Sequence, residues 1–300
     1  MFLEKILIIS LVLGMMLPLT SLAQQGVNMG PVKFQVGINQ FPGKNYWIEA
    51  LYKWDSSLTP PDYKFMAAQK EETYHVSLLS IRASTMKPIL SPNLSAGLEV
   101  GCEIPISSWK KEWENDAGDT SIGEPAEYTD MEWEFFSLPW PGVDYTSSLE
   151  LKERLVVVPI LGKLAYTSYG GTKLGIGLSF GAYVVNSQIT GTMTKTYAQN
   201  SPPYVKGEKE ITETTVSATT CSPGGEFSVD LSLPVSDIFS LGFNGWVGYI
   251  GRAAIFWGEE RTEYTQIEWS PAAQETSTSK KLFEAGGLSY GGGLSLNFFF

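Results

Sequence analysis

The 300-residue chain predicts an all-β fold: one antiparallel barrel of about eight strands, closed within a membrane. Three observations predict it. Apolar residues recur at every second position over segments of eight or more residues, the period of a strand. The faces opposite them carry mainly Gly, Ser, Asn, Glu and Asp, where a solvated sheet would show Lys, Glu and Thr; small residues fit the crowded interior of a narrow barrel. Connections alternate between tight and long, which is how a membrane barrel with an even strand count is threaded.

Taken in order, the chain opens with Lys5 and an apolar run from Ile6 to Leu17, followed by Ser21-Leu22-Ala23. Residues 1–23 therefore read as a signal peptide cleaved after Ala23, the run being short for a membrane-spanning helix. The remainder, 24–300, reads as one barrel domain. In the first strand Val32, Phe34, Val36 and Ile38 alternate with Lys33, Gln35, Gly37 and Asn39. The segment 74–84 changes parity midway. Next, Leu94, Ala96, Leu98, Val100, Cys102 and Ile104 oppose Ser95, Gly97, Glu99, Gly101 and Glu103. Residues 154–167 are apolar on both parities at their centre.

The cleanest strand follows, with Leu174, Ile176, Leu178, Phe180, Ala182 and Val184 against Gly175, Gly177, Ser179, Gly181 and Tyr183. Phe227, Val229, Leu231 and Leu233 then oppose Glu226, Ser228, Asp230 and Ser232. Residues 239–251 blur around Gly245-Trp246, where a bulge would fit. In the last strand Leu288, Tyr290, Leu294, Leu296, Phe298 and Phe300 share a face. Strands are expected near 31–40, 73–86, 92–106, 150–167, 172–189, 224–235, 238–256 and 282–300. The links at 87–91, 168–171 and 236–237 are tight; those at 41–72, 107–149, 190–223 and 257–281 are long. A count of ten follows if 45–54 and a partner in 62–72 form a further pair. Ten tilted residues climb about 23 Å, close to the height of an outer-membrane apolar band.

The final segment, with its alternating apolar face and terminal Phe300, resembles the small OmpA/OmpX/OmpW-like bacterial outer-membrane β-barrels, as do the leader and the loop asymmetry. The resemblance implies a place in the outer membrane of a Gram-negative cell, with membrane lipid around the wall. It also implies that the barrel-assembly machinery reads the last strand. It brings no catalytic residue and no cofactor.

Net charge of −11 argues against nucleic acid as a partner, because phosphate binding needs clustered Lys and Arg. Cys102 and Cys221 fall in distant segments and are not expected to pair. The loop 107–149 concentrates Trp109, Trp113, Trp133 and Trp140 among ten carboxylates, a candidate surface for an extracellular ligand or protein. Asp116 and Asp119 are too sparse for a calcium loop, and no metal site is expected. Glu99, Glu103, Lys163, Glu226 and Asp230, with Lys33, point into the lumen on the parity above, where buried charges require partners.

His75 is the single histidine, and His75-Val76-Ser77 is similar to the His-x-Ser pair of PagL-type lipid A deacylases. That likeness implies His75 as base, Ser77 as nucleophile and Glu103 as the orienting carboxylate. Leu78 stands where that family has Asn, and three-residue motifs carry high false-positive risk. The expected function is non-catalytic, a binding or structural role through the acidic loops. A lipid A hydrolase and a narrow pore are the alternatives.

Overall fold

The computed structural model describes residues 32–55, 62–115, 126–129, 145–168, 172–197, 205–261 and 277–298. The expected signal peptide lies outside them. Ten antiparallel strands form one sheet: β1 Val32–Asp55, β2 Asp62–Ser91, β3 Leu94–Pro105, β4 Trp109–Asn115, β5 Ala126–Thr129, β6 Tyr145–Thr167, β7 Lys173–Tyr197, β8 Lys209–Pro234, β9 Phe239–Arg261 and β10 Ser277–Phe298. Among the described residues eight of them close a ring, in the order β1-β2-β3-β6-β7-β8-β9-β10 and back to β1. The closing register runs from Val32 opposite Phe298 to Gln40 opposite Tyr290 and, after a shift, on to Asn45 opposite Phe283. Phe34 and Phe239 both pack their rings against Phe298 at this seam.

The expected strands are all present; all but β3 are longer than expected, and β1, β2 and β8 are about twice as long. The segments 41–72 and 190–223, read as loops from the sequence, are largely strand: β1 and β2 pair without interruption up to Asp55 opposite Asp62, and β7 pairs β8 up to Thr196 opposite Lys209. Residues 45–54 and 62–72 are thus the upper parts of β1 and β2, so they add no strands and the ring count stays at eight. Within 107–149 the chain adds two short strands to the wall, β4 alongside β6 and β5 alongside β1.

The long strands were masked in the sequence because their chemistry exchanges faces partway up. On the lower part of β7, Leu174, Ile176, Leu178 and Phe180 are exposed while Gly175, Gly177 and Ser179 are buried. On its upper part Val185, Ile189 and Met193 are buried, and Asn186 and Gln188 are exposed. No residue has changed side. The wall is apolar-out below and polar-out above, and a search for an outward apolar face stops at the exchange. β2 does the same in the other direction along the chain: Tyr74, Val76 and Leu78, then Ser80, Arg82 and Ser84, all face inward. The apparent change of parity in 74–84 is this exchange.

β9 differs from expectation in another way. Its pairing with β10 is continuous through Gly245 and Trp246, and Trp246 points inward. The register shifts lie higher, between Lys281 and Gly287. Gly286 and Gly287 there have φ of 114° and 132°, a backbone open to glycine and strained for other residues.

Candidate functional site

The apolar outer belt spans the lower part of the long ring strands and the whole of β3, and inside it lies a chain of ion pairs. Arg82, on β2, is its hub. Its Nη1 and Nη2 donate to the two carboxylate oxygens of Glu226 on β8 at 2.6 and 3.0 Å, the bidentate geometry that suits a guanidinium. Nη2 also donates to Glu103 at 2.6 Å and Nη1 to Glu99 at 3.1 Å, both on β3. Its guanidinium lies 4.8 Å from the Trp246 ring on β9. Arg82 thereby links strands from opposite sides of the barrel.

The carboxylates are satisfied in turn. Glu99 accepts from Lys163 Nζ at 2.8 Å. Glu103 accepts from Asn39 Nδ2 at 2.7 Å and from Ser80 Oγ at 3.0 Å, and Glu226 from the Tyr183 hydroxyl at 2.8 Å. Lower down, Lys33 pairs Asp230, and Asn297 donates to Ser232 and Ser240. Arg82, Glu99, Glu103, Lys163 and Glu226 are all less than a tenth exposed. Ions so deeply buried are held only by partners of opposite charge and by complete hydrogen bonding.

Above the network the interior turns apolar. Leu149, Leu151, Leu155, Val185, Ile189 and Met193 form a core with Tyr74, Trp109 and Phe283. Tyr74 stacks on Trp109 with ring centroids 4.5 Å apart, and Phe283 meets Trp109 edge-on. One carboxyl enters this core: Glu153 on β6 accepts from the Tyr74 hydroxyl and from Ser187 Oγ. At this height the outward side chains are Lys152, Arg154 and Gln188, so Glu153 lies above the apolar belt. Burial pushes its pKa up from 4.5 to about 7, the two hydrogen bonds opposing.

All six lumenal residues anticipated from parity, Lys33, Glu99, Glu103, Lys163, Glu226 and Asp230, meet in this interior. Arg82, which joins Glu99, Glu103 and Glu226 directly and Lys163 through Glu99, was missed. The signal lay in its parity with Ser80 and Ser84, hidden because Tyr74, Val76 and Leu78 share the same face.

The loop tryptophans fare differently. Trp109 is a core residue, 8% exposed, and cannot meet a ligand outside. Trp113 lies in β4, its side chain outside the described residues, as are Trp133 and Trp140 altogether. The proposed hydrolase trio does not assemble. His75 lies on the outer surface, its Nε2 3.4 Å from the Leu288 carbonyl and its ring 5.6 Å from that of Tyr290. Ser77 shares that outer face and exchanges hydrogen bonds with Gln40. Glu103 is inside, fully buried. The sheet stands between base and carboxylate, because residues 75 and 77 have the parity opposite to that of Arg82. Cys102 and Cys221 are both free thiols.

Pairing, belt and closed lumen together define a transmembrane β-barrel. No family model matches the chain, and no curated protein matches it. Among solved structures it is similar to Neisserial surface protein A, at 11% identity over 87% of this chain and 97% of that one, with a TM-score of 0.28. It is similar to the outer membrane protease OmpT from Escherichia coli at 8% identity, over 90% and 97% of the two chains, with a TM-score of 0.33. The attachment invasion locus protein Ail of Yersinia pestis gives 8% identity over 89% and 98%, with a TM-score of 0.24. Likeness at this level carries no argument by itself; the fold rests on its own register.

Proposed function

We propose that the chain is an outer-membrane barrel that neither conducts nor catalyses, and that it serves to hold a raised acidic rim outside the cell for binding. The observation that carries this reading is the Arg82 network, which crosses the lumen from β2 to β3 and β8 at membrane height. An apolar core sits directly above it. An eight-stranded barrel is just wide enough for its own side chains, and here they are interlocked by charge. Above the belt the outer wall is hydrophilic, with Thr215, Ser217 and Thr219 on β8 exposed beside Asn186 and Gln188 on β7. Such a surface belongs in water, not in lipid. The segment 107–149 supplies carboxylates and aromatic residues for a ligand or protein partner, and its described strands β4 and β5 extend the wall beside β6 and β1. Recognition of the last strand by an assembly machinery fits the exposed Leu294 and Leu296 beside the Phe298 seam.

Planar-bilayer recording tests this function. The purified barrel is expected to be silent from −100 to +100 mV, a range of about 2.3 kcal/mol per unit charge on either side. Discrete conductance steps in the unmodified protein would overturn the closed lumen.

A further inference from the structure

The outer wall carries a second polar feature, at the height where its apolar belt ends. Two basic side chains reach β10 there from opposite sides. His75, on β2, extends its Nε2 to within 3.4 Å of the Leu288 carbonyl. Arg252, on β9, lies so that a Cβ added at Gly287 would stand 3.8 Å from its Nε. They thus approach consecutive residues of one strand. Between them lie Gly287 of β10 and Pro42 of β1, both buried, with the Pro42 ring 3.5 Å from that same Cβ position. The left-handed φ at Gly287 belongs to the register shift of β10 against β9.

The two donors are differently committed. Arg252 is exposed, and no ion pair holds it among the described residues. His75 holds the Leu288 carbonyl only at the long end of hydrogen-bond distance. The nearby acids are engaged elsewhere: Glu71 pairs Lys44 at 2.7 Å, and Glu284 accepts from Tyr46 at 2.6 Å. Just below, Leu288 (57% exposed) and Tyr290 (47%) begin the apolar wall. Tyrosine rings at this boundary are at home where hydrocarbon meets headgroups.

We propose that His75 and Arg252 form a headgroup site for the phosphate of an anionic membrane lipid, whose acyl chains lie on Leu288 and Tyr290. The site rests on the reading that the lower wall is embedded in lipid. Arg252 supplies the charge and a planar fork matched to phosphate oxygens. His75 turns its Nε2–H from a weak carbonyl contact to a stronger anionic acceptor. A soluble phosphate finds the same donors, but without the apolar wall beneath them.

The full barrel in dodecyl maltoside is mixed with dilauroyl phosphatidic acid or with dilauroylglycerol, which has the same chains and no phosphate. Bound lipid is read by native mass spectrometry. The phosphatidic acid is expected to be retained several-fold better. Arg252→Gln lowers its retention about five-fold, the effect of one basic residue at a charged surface, and adding His75→Gln removes the preference. Lys87→Gln, exposed near the opposite rim, leaves retention unchanged. Free glycerol phosphate fails to displace the lipid at equal concentration. Equal retention of both lipids, no change in the double variant, or displacement by glycerol phosphate overturns the headgroup site while leaving the embedded wall intact. Retention of neither lipid overturns the embedded wall itself.

Discussion

The lower and upper parts of the wall are built from the same strands and obey opposite rules. Below, large apolar side chains face out and Arg82, Glu99, Glu103 and Glu226 face in. Above, Leu155, Val185, Ile189 and Met193 face in and polar side chains face out. The backbone is one continuous ladder across the exchange, for example through β6 and β7 from Tyr145 to Thr167. Nothing in the hydrogen bonding tells the two parts apart. Only the medium outside does. The lower part meets hydrocarbon, so its core is released to be polar. The upper part meets water and must bury its own apolar surface, like any soluble β domain.

This contrast is open to attack by substitution, with stability read from urea unfolding in phospholipid vesicles. The largest expected effect is at the hub. Arg82→Ala strips the common partner from three buried carboxylates and should cost about 3 to 5 kcal/mol. A loss below about 1 kcal/mol would mean that the network is solvated. Next is the lipid face: Leu178→Lys, at mid-belt on β7, should cost about 2 to 4 kcal/mol.

The third effect depends on pH. The Glu153 carboxyl keeps its proton in the folded barrel up to about pH 7, whereas in the unfolded chain it ionises near its ordinary 4.5. Between these values the folded state binds the extra proton, so stability falls as pH rises through this window, by up to about 3 kcal/mol. Glu153→Gln should flatten the profile; a profile of the same slope would assign it to other groups. The smallest effect completes the comparison. Gln188→Lys, outward on β7 but above the belt, should stay within about 0.5 kcal/mol. A cost there matching that of Leu178→Lys would erase the boundary between the two parts.

The boundary also explains what could be read from the residues alone. Period-two alternation placed the ring strands most cleanly where the membrane part carries an outward apolar row without interruption, as from Leu174 to Phe180, and less cleanly where glycines such as Gly162 and Gly245 break the row. The inward carboxylates and lysines followed from the same parity. Arg82 and Trp109 did not, and for related reasons. Arg82 sits just below the exchange on β2, where three inward apolar residues precede it and confuse the face. Trp109 sits above the exchange, where an aromatic residue in an acidic stretch looks solvated yet belongs to a buried core. Its burial depends on Tyr74 and Phe283, which come from β2 and β10. Those contacts are set by closure of the ring, and local sequence has no access to that. The His75–Ser77–Glu103 trio failed on a count of one: an odd separation puts His75 and Glu103's partner Arg82 on opposite sides of the sheet.

The seam between β1 and β10 joins the first described residue to the last, Val32 to Phe298. Contacts so distant in sequence form late and slowly. Until β10 arrives, β1 offers a bare strand edge and the lumenal charges stand open on one side. The polypeptide must therefore be kept from its own kind until the ring closes, and loss of β10 would leave two unsatisfied edges where no water exists to cover them.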